Sequence, residues 1–483
     1  MNTSTDHDFI NGQHYRRLSD QQCQKLHEAA LQILTRTGVR IHHQPGIDLL
    51  KKGGAQIAEG NLVRIPPKIV ELALKTVPNE ITLYNREGAP AIHMTGHNTF
   101  FGTGSDCLNI LDHRTGERRK PVLNDIVEGM RLCDALPNID FVMCMFLPED
   151  VSTMIADRYQ MKAMLNNTIK PIVYVTTDFD GCVDAVSMAE AVVGGAKELQ
   201  EKPIAACYIN VTNPFQHNQE AVQKLLYLSE RGLPATYIPV ALGGATAPIT
   251  VAGNMAIWHA GCLVGLVMSQ LQREGAPFIT SGWGASALDM KTMVSPYAEP
   301  EKQFMAQELA HYLNLPMFAF GGFSDSKITD QQASIEAALT LVMNIMAGSH
   351  LVHDLGYLES GLTGSFVQLV ICDELIDWMR TACGEIQINE ETLALDVIHE
   401  VGPDGDFLSA EHTLNHFRSR WYPKLIERNN YSGWIDDGKR DMGQRAAERV
   451  DNILAEHVPD PLPGKIQIAL EKIIQQAAEK YSD

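Results

Sequence analysis

Eight short runs of β-branched and aromatic residues recur along this chain, and each is followed by a stretch with helical periodicity. Strands that alternate with helices predict a parallel sheet, and eight such units predict a closed (β/α)8 barrel. Barrels of this kind carry their chemistry at the carboxyl ends of the strands, so the repeat indicates where functional residues lie. The predicted strands are Thr99–Gly102, Phe141–Phe146, Pro171–Thr176, Ile204–Asn210, Thr236–Leu242, Phe278–Trp283, Met317–Gly321 and His350–Leu355.

The length of the chain predicts extensions around this core. The chain has 483 residues, whereas a bare barrel needs about 250. We therefore expect an α/β fold in which a TIM barrel over 98–383 carries helical extensions on both sides. The N-terminal extension, 1–97, also contains short strands, a hairpin is inserted at 107–122, and the C-terminal helical extension covers 384–483.

Charge and cysteine content exclude several classes of protein. A net charge of −20 argues against nucleic acid as a partner. The nine cysteines form no C-x-x-C pair, which favours free thiols over a disulfide framework or a zinc site. The first seventeen residues contain no apolar core typical of a secretion signal, so we expect a cytoplasmic protein.

One long segment contains no charged side chain. Asp, Glu, Lys and Arg are absent from Leu233 to Gln272, and Thr250–Leu271 within it has helical character. A helix that is apolar on most faces is usually buried, and Asn254 and His259 argue against a membrane span. We expect a buried helix or one at a subunit interface, the latter implying a homo-oligomer.

The first predicted strand leads into Gly102-Thr103-Gly104-Ser105-Asp106. Glycines in such a turn allow backbone to approach a ligand closely, but the pattern lacks the third glycine of a dinucleotide fingerprint. Asp106 lies where barrels hold catalytic groups. The alternative is a carboxylate that only caps a neighbouring backbone amide.

The sixth predicted strand ends at Trp283, which is flanked by two glycines. Quaternary ammonium groups donate no hydrogen bonds and are held over aromatic faces, so Trp283 is a candidate wall of an aromatic cage. A tryptophan that packs under a loop is the alternative. Other aromatic residues near strand ends could supply further walls: Tyr297, Phe320, Phe323 and Tyr357.

Glycines, hydroxyls and a lysine follow the seventh predicted strand. Ser324, Asp325 and Lys327 come directly after Gly321-Gly322-Phe323. This composition suits a phosphate site near strands seven and eight, a Schiff-base lysine, or a solvated or ion-paired lysine. The short pattern does not separate these alternatives.

The eighth predicted strand contains His350 and His353, with Asp354 beside the second. Residues three apart on a strand point to opposite faces, so a shared metal would require the strand to end between them. We therefore predict no metal site. A hydrogen-bonding or charge-bearing histidine in the pocket is the favoured interpretation.

Three runs together resemble the trimethylamine methyltransferase family: GTGSD with its following hairpin, GGFSDSKITDQQASIEAAL and GSHLVHDLGYLESG. They occur in the family's order, and the resemblance extends over nearly the whole chain. It implies a barrel that transfers a methyl group from a methylated amine to the cobalt of a corrinoid on a separate small protein. The implied partners are thus an amine substrate and a cognate corrinoid protein, with no cofactor held stably by this chain.

The archetypal members carry pyrrolysine near the region that matches Ser324–Lys327, and here every position is an ordinary residue. The chain is more similar to the pyrrolysine-lacking branch, whose substrates are quaternary amines. The resemblance therefore implies glycine betaine, giving dimethylglycine, with proline betaine, carnitine or γ-butyrobetaine as alternatives.

On this interpretation each candidate residue has an expected role. Trp283, Phe323 and Tyr357 form the ammonium cage, and His350 binds the carboxylate with help from Lys327. The remaining candidates line the pocket or adjoin the cation: Asp106 (near the cation or orienting His350), Ser324, Asp325 and His353. Two other functions stay open, namely a lyase or aldolase with Lys327 as Schiff base, and a betaine-binding protein without catalysis.

Overall fold

A curled sheet of seven parallel strands forms the centre of the computed structural model, which describes residues 15–282 and 286–481. The strands pair in the order β1-β7-β6-β5-β4-β3-β2, and every pairing between neighbours is parallel. The strands are β1 (Phe100–Thr103), β2 (Ile172–Tyr174), β3 (Ala205–Val211), β4 (Ala235–Pro239), β5 (Phe278–Ser281), β6 (Met317–Phe320) and β7 (Leu351–Leu355).

The predicted strand Phe141–Phe146 is not a regular strand. Phe141 makes a single parallel bridge to Gly102 of β1, and Val142 makes one to Ile172 of β2. Met145 then adopts a left-handed φ of 63°, which takes the segment out of an extended ladder. The prediction of eight regular strands was wrong at this position, although both edge strands are bridged to the same segment.

Helices connect the strands along the outside of the sheet. Side-chain caps fix where several of them begin: Asp178, Asp330 and Ser365 each accept a hydrogen bond from a backbone N–H three residues later. The helices after successive strands are Leu123–Ala135, Ala156–Asn167, Phe179–Val193 with Ala196–Glu201, Gln219–Arg231, Val251–Gln272, Met305–Tyr312, Gln331–Ala347 and Phe366–Cys383.

The uncharged helix, Val251–Gln272, is long and apolar enough to cross a membrane by length and composition, but most of it is buried inside the fold. Helices of the N-terminal region, Asp20–Gln32, Gln44–Lys52 and Pro67–Thr76, pack against it. Its apolar surface is therefore covered within one chain. The predicted subunit interface on this helix is not needed to explain its composition.

Short elements surround the central sheet. The N-terminal region contains a π-helical turn at Ile33–Thr37, a small sheet, and an antiparallel pair of strands, Ile81–Tyr84 with Pro90–Met94. The small sheet holds Gln56–Ile57, Leu62–Arg64, Val39–Ile41 and Gln216–His217. A second small sheet joins Arg118–Arg119, Asn109–Leu111, Thr363–Gly364 and Tyr357–Leu358, and Leu242–Gly243 pairs with Ser286–Ala287. Two 3-10 turns lie at Pro300–Lys302 and Glu359–Gly361.

Between residues 384 and 481 the regular elements are helices. The last two helices pack on the helices around the central sheet: Met442–Glu456 contacts Phe366–Cys383, and Gly464–Lys480 contacts Phe179–Val193. The intervening elements are Glu390–Leu393, Leu395–Val401, Glu411–His416, a 3-10 turn at Phe417–Ser419, and Tyr431–Asp436.

The hairpin Ile81–Met94 closes the amino end of the curled sheet. Its side chains Ile81, Leu83, Ile92 and Met94 are buried in one cluster with residues from the first half of the strands. That cluster includes Phe100, Val173, Ala206, Ile279, Phe318 and Leu351. The opposite, carboxyl end of the sheet is the end left for ligands.

We predict that Leu83→Ala destabilises the fold. Leu83 is fully buried, and removing such a side chain costs about 2–5 kcal/mol because it leaves a cavity. Urea-induced unfolding measures the loss. Leu72→Ala is the matched control, since Leu72 is 52% exposed and should change stability by less than about 0.5 kcal/mol; equal effects would show that the hairpin is not part of the core.

Candidate functional site

The carboxyl ends of β1–β7 and the loops that follow them form what we call the mouth. Val175, Tyr208 and Val240 are only partly buried above the apolar cluster that fills the amino half of the sheet. The ring of Tyr208 lies near those of Phe318 and His353, with centroids 5.5 and 5.9 Å apart. These residues form an aromatic floor beneath the mouth.

His353 and Asp354 form a buried pair at the end of β7. The pairing of β7 with β1 shifts register between Val352 and Leu355, and Asp354 has a left-handed φ of 76°. Such an irregularity re-aims side chains that would otherwise alternate. Nε2 of His353 lies 3.3 Å from Oδ1 of Asp354.

A backbone contact of His353 leaves its Nε2 facing Asp354. Nδ1 of His353 donates to the carbonyl oxygen of Ala319 at 2.6 Å, since a carbonyl only accepts. Nε2 and the Asp354 carboxyl therefore need one further proton between them to make a hydrogen bond. Burial raises the pKa of Asp354, which favours a proton at this position.

Gly104 leaves room for the pair. A Cβ atom at residue 104 would lie 2.2 Å from Oδ1 of Asp354 and 2.5 Å from the hydroxyl oxygen of Tyr357. That hydroxyl donates to the carbonyl oxygen of Ser105 at 2.7 Å. The glycine after β1 thus brings Asp354 and Tyr357 against the backbone of the first loop.

Asp106 is partly buried on the same loop, with a left-handed φ of 64°. Its Oδ1 accepts a hydrogen bond from Nε2 of Gln160 at 3.1 Å and lies 3.7 Å from Sγ of Cys144. Burial raises its pKa, and these donors act in the opposite direction. The carboxylate is therefore held at the mouth by two neighbouring side chains that sequence reasoning did not identify.

Three aromatic rings surround a buried lysine on the other side of the mouth. Nζ of Lys302 lies 4.5 Å from the ring centroid of Phe320, 5.6 Å from that of Tyr297 and 5.8 Å from that of Phe323. Lys302 is 4% exposed, and burial lowers its pKa to about 7. The sequence identified the three rings but missed Lys302, which lies in a long loop without a recognisable motif.

Ser324 and Asp325 hold neighbouring loops together. The Ser324 hydroxyl donates to Oε2 of Glu336 at 2.6 Å. The Asp325 carboxylate accepts from the backbone N–H groups of Tyr297 and Ala298, at 2.8 and 3.1 Å, and from Ser360. Asp325 therefore fixes the loop that carries Tyr297 to the loop after β6.

The two predicted ligands of a carboxylate, Lys327 and His350, lie at opposite ends of the sheet. Lys327 is exposed, and its Nζ donates to the carbonyl oxygen of Asp325. His350 precedes β7 at the amino end of the sheet, where Nδ1 accepts from the N–H of Met317 and Nε2 donates to the carbonyl oxygen of Gly96. Burial also lowers its pKa to about 4, so it carries no charge at neutral pH.

The position of His350 corrects its predicted role. His350 was expected to bind a carboxylate, and Asp106 either to lie near the cation or to orient His350, yet His350 lies roughly 15 Å from the mouth along β7. Trp283, the predicted cage residue, lies outside the described residues. Within the described part of the chain no cluster of three or more His, Cys, Asp or Glu suits a metal.

The fold and site define a barrel-like α/β protein with acidic, aromatic and lysine side chains at one mouth. A family model described as trimethylamine methyltransferase (MTTB) matches residues 4–481. The chain therefore belongs to the trimethylamine methyltransferase family, which makes it a methyltransferase. The resemblance seen in the sequence motifs is confirmed.

Individual proteins show the same similarity. The chain is 33% identical to a trimethylamine methyltransferase MttB of Desulfitobacterium hafniense over 96% of this chain and 94% of that protein. It is 28% identical to a glycine betaine methyltransferase of the same species, over 97% and 98%. The crystal structure of the Methanosarcina barkeri monomethylamine methyltransferase shares the fold, with a TM-score of 0.51, 11% identity, and coverage of 92% and 89%.

We predict that Gly104→Ala destabilises the protein through overpacking. The new methyl group would overlap Asp354 and Tyr357, and insertion of this kind costs about 1–3 kcal/mol. Thermal unfolding measures the effect. Gly464→Ala is the control, because a Cβ there meets nothing within 4 Å; an unchanged Tm for Gly104→Ala would mean that Asp354 does not occupy this position.

Proposed function

We propose that this protein transfers a methyl group from a quaternary amine, with glycine betaine as the best candidate, to Co(I) of a corrinoid carried by a separate protein in the cytoplasm. Dimethylglycine would be the second product. The family match over residues 4–481 is the observation that carries this proposal. The alternatives are the same reaction on proline betaine, carnitine or γ-butyrobetaine, and betaine binding without catalysis.

Four observations favour a quaternary amine. The region matching the pyrrolysine site of the archetypal enzymes consists of ordinary residues, Ser324–Lys327, and a glycine betaine methyltransferase is among the relatives. The floor of the mouth offers the aromatic face of Tyr208 to a cation. The Asp106 and Asp354 carboxyl groups lie at the same end of the sheet.

Methyl transfer from a quaternary amine requires little proton transfer by the protein. A Co(I) corrinoid supplies the nucleophile when the partner is docked, and the quaternary ammonium leaves as a neutral tertiary amine. Because the positive charge on nitrogen is lost as the methyl group leaves, a site that held the cation too tightly would favour the ground state. The role of Tyr208 and Tyr357 is then to orient one methyl group toward the mouth.

The rim of the mouth suits a protein partner. Exposed apolar side chains occur on five loops that follow strands and on the loop after Phe141–Phe146. Loops at this end of a parallel sheet encircle one opening. The exposed side chains include Met293, 66% exposed, and Ile328, 57% exposed. The full set is Leu108, Met154, Ile249, Met290, Met293, Val294, Ile328 and Leu362. Contiguous exposed apolar residues mark interaction sites, and a corrinoid protein seated here would cover the mouth.

The expected activity is methylation of Co(I). The purified protein is mixed with cob(I)alamin and, in turn, glycine betaine, proline betaine, carnitine, γ-butyrobetaine and trimethylamine, and methylcobalamin is followed by absorbance. Glycine betaine should give the fastest conversion. Faster conversion with a different amine would correct the substrate and leave the reaction unchanged. If methylcobalamin forms neither with free cobalamin nor with the cognate corrinoid protein, and betaine still binds tightly, the chain is a binding protein.

We predict that the double variant Met293→Asp with Ile328→Asp weakens docking. The two introduced carboxylates would be buried in the apolar contact with the corrinoid protein, which weakens that contact. The KM for the corrinoid protein should therefore rise by about tenfold or more. The rate with free cob(I)alamin should not change, because neither side chain reaches the floor. Ile468→Asp is the control on a C-terminal helix, with Ile468 72% exposed; equal effects of both variants would exclude the rim as the docking surface.

A further inference from the structure

We propose that Lys302 binds the anionic group of the substrate, so that the site selects zwitterionic quaternary amines over purely cationic ones. This inference rests on the proposed function, since it assigns the substrate class of the same site. It replaces His350 and Lys327, which the sequence suggested for this role, with a residue from the loop after β5.

Two hydrogen bonds from the Lys302 ammonium group are long. Nζ donates to Oγ of Ser286 and to the carbonyl oxygen of Pro296, both at 3.4 Å. Charge-assisted hydrogen bonds to oxygen are usually 2.7–2.9 Å long. A substrate carboxylate at Nζ would therefore gain a shorter and stronger bond than these two.

The aromatic rings around Lys302 already surround its amino group, which is charged below a pH of about 7. A substrate ammonium placed on the same faces of Phe320, Tyr297 and Phe323 would lie within a few ångströms of Nζ, and two like charges at that separation repel. The methylated nitrogen must then bind elsewhere at the mouth. The aromatic face of Tyr208, with the carboxyl group of Asp354 near it, is the other surface for a cation at the mouth.

The mouth is consequently bipolar. Lys302 lies near enough to Asp354 for its positive charge to act against the rise in the pKa of that carboxyl group. A zwitterion fits with its carboxylate toward Lys302 and its ammonium toward Asp354 and Tyr208. A substrate that carries only the ammonium leaves Lys302 without this bond and meets its repulsion.

A buried lysine of this kind is costly as a purely structural element. Burial in an apolar site disfavours the charged form, which lowers the pKa of Lys302 to about 7. The acidic groups that act on it are Glu299 from its own loop, Asp325 from the loop after β6 and Asp354 from β7, and they support the charged form. Strongly perturbed ionisable groups in a cleft are typical of functional sites.

The test compares Lys302→Met, Lys302→Arg and Lys327→Met in the full-length protein. Calorimetry measures the Kd of glycine betaine and of choline, which has the same trimethylammonium but a hydroxyl in place of the carboxylate. Lys302→Met should weaken glycine betaine by about 30-fold or more and should leave choline unchanged or bound more tightly. Lys302→Arg should restore much of the affinity, and Lys327→Met should not alter it.

Each alternative has its own outcome. Equal losses of glycine betaine and choline in Lys302→Met, with choline serving as the check on folding, would show a structural role and overturn the inference. A selective loss in Lys327→Met would return the role to the exposed lysine. Methyl transfer without any preference for carboxylate-bearing amines would refute the inference alone, whereas Lys302-dependent binding without methyl transfer would refute only the proposed function.

The affinity for glycine betaine should also depend on pH. The ammonium of Lys302 is the charged form and is lost as pH rises through about 7, while the substrate carboxylate stays ionised. The Kd should therefore increase by up to about tenfold per pH unit above that value. Choline, which lacks the carboxylate, is the control and should not lose affinity over this pH range; a flat profile for glycine betaine in the wild type would contradict the assignment.

Discussion

Parallel pairing of β1–β7 is the constraint on which the rest of the structure depends. Since all strands run in one direction, residues far apart in sequence meet at one end of the sheet. Gly104 and Lys302 lie about two hundred residues apart along the chain, and Lys302 and Asp354 lie about fifty residues apart. All three nevertheless belong to one mouth. No local segment contains the site by itself.

The site combines ionisable side chains whose charged forms are each disfavoured by burial. Asp106 and Asp354 have raised pKa values and Lys302 a lowered one, each because burial disfavours its charged form. The surrounding fold keeps them in place through Gln160, through His353 and through the aromatic rings beside Lys302. A zwitterionic ligand would relieve both kinds of penalty at once by supplying an opposite charge at each end.

Periodicity predicted most of the fold because it reports which residues must be buried. Seven of the eight predicted strands are present, and the eight barrel helices follow them. The run Phe141–Phe146 failed because its apolar composition suits a strand, while the left-handed backbone at Met145 depends on contacts with the first loop. The resemblance of the three motifs gave the family, which composition alone does not contain.

The roles of individual site residues were harder to predict than the loops on which these residues lie. His350 has the residue type expected of a carboxylate ligand, but β7 begins after it and places it at the closed end. Ser324 and Asp325 hold neighbouring loops through Glu336 and Tyr297, which no short motif includes. Lys302 gave no signal because its environment is created by rings from three other positions.

The hairpin that fills the amino end has a kinetic consequence. Ile81, Leu83, Ile92 and Met94 leave no route for a small molecule through that end of the described structure. If the proposed function holds, the amine and the corrinoid protein must both approach through the mouth. The amine has to enter first and the demethylated product has to wait for the partner to depart, so steady-state rates should follow a compulsory order with partner dissociation before product release.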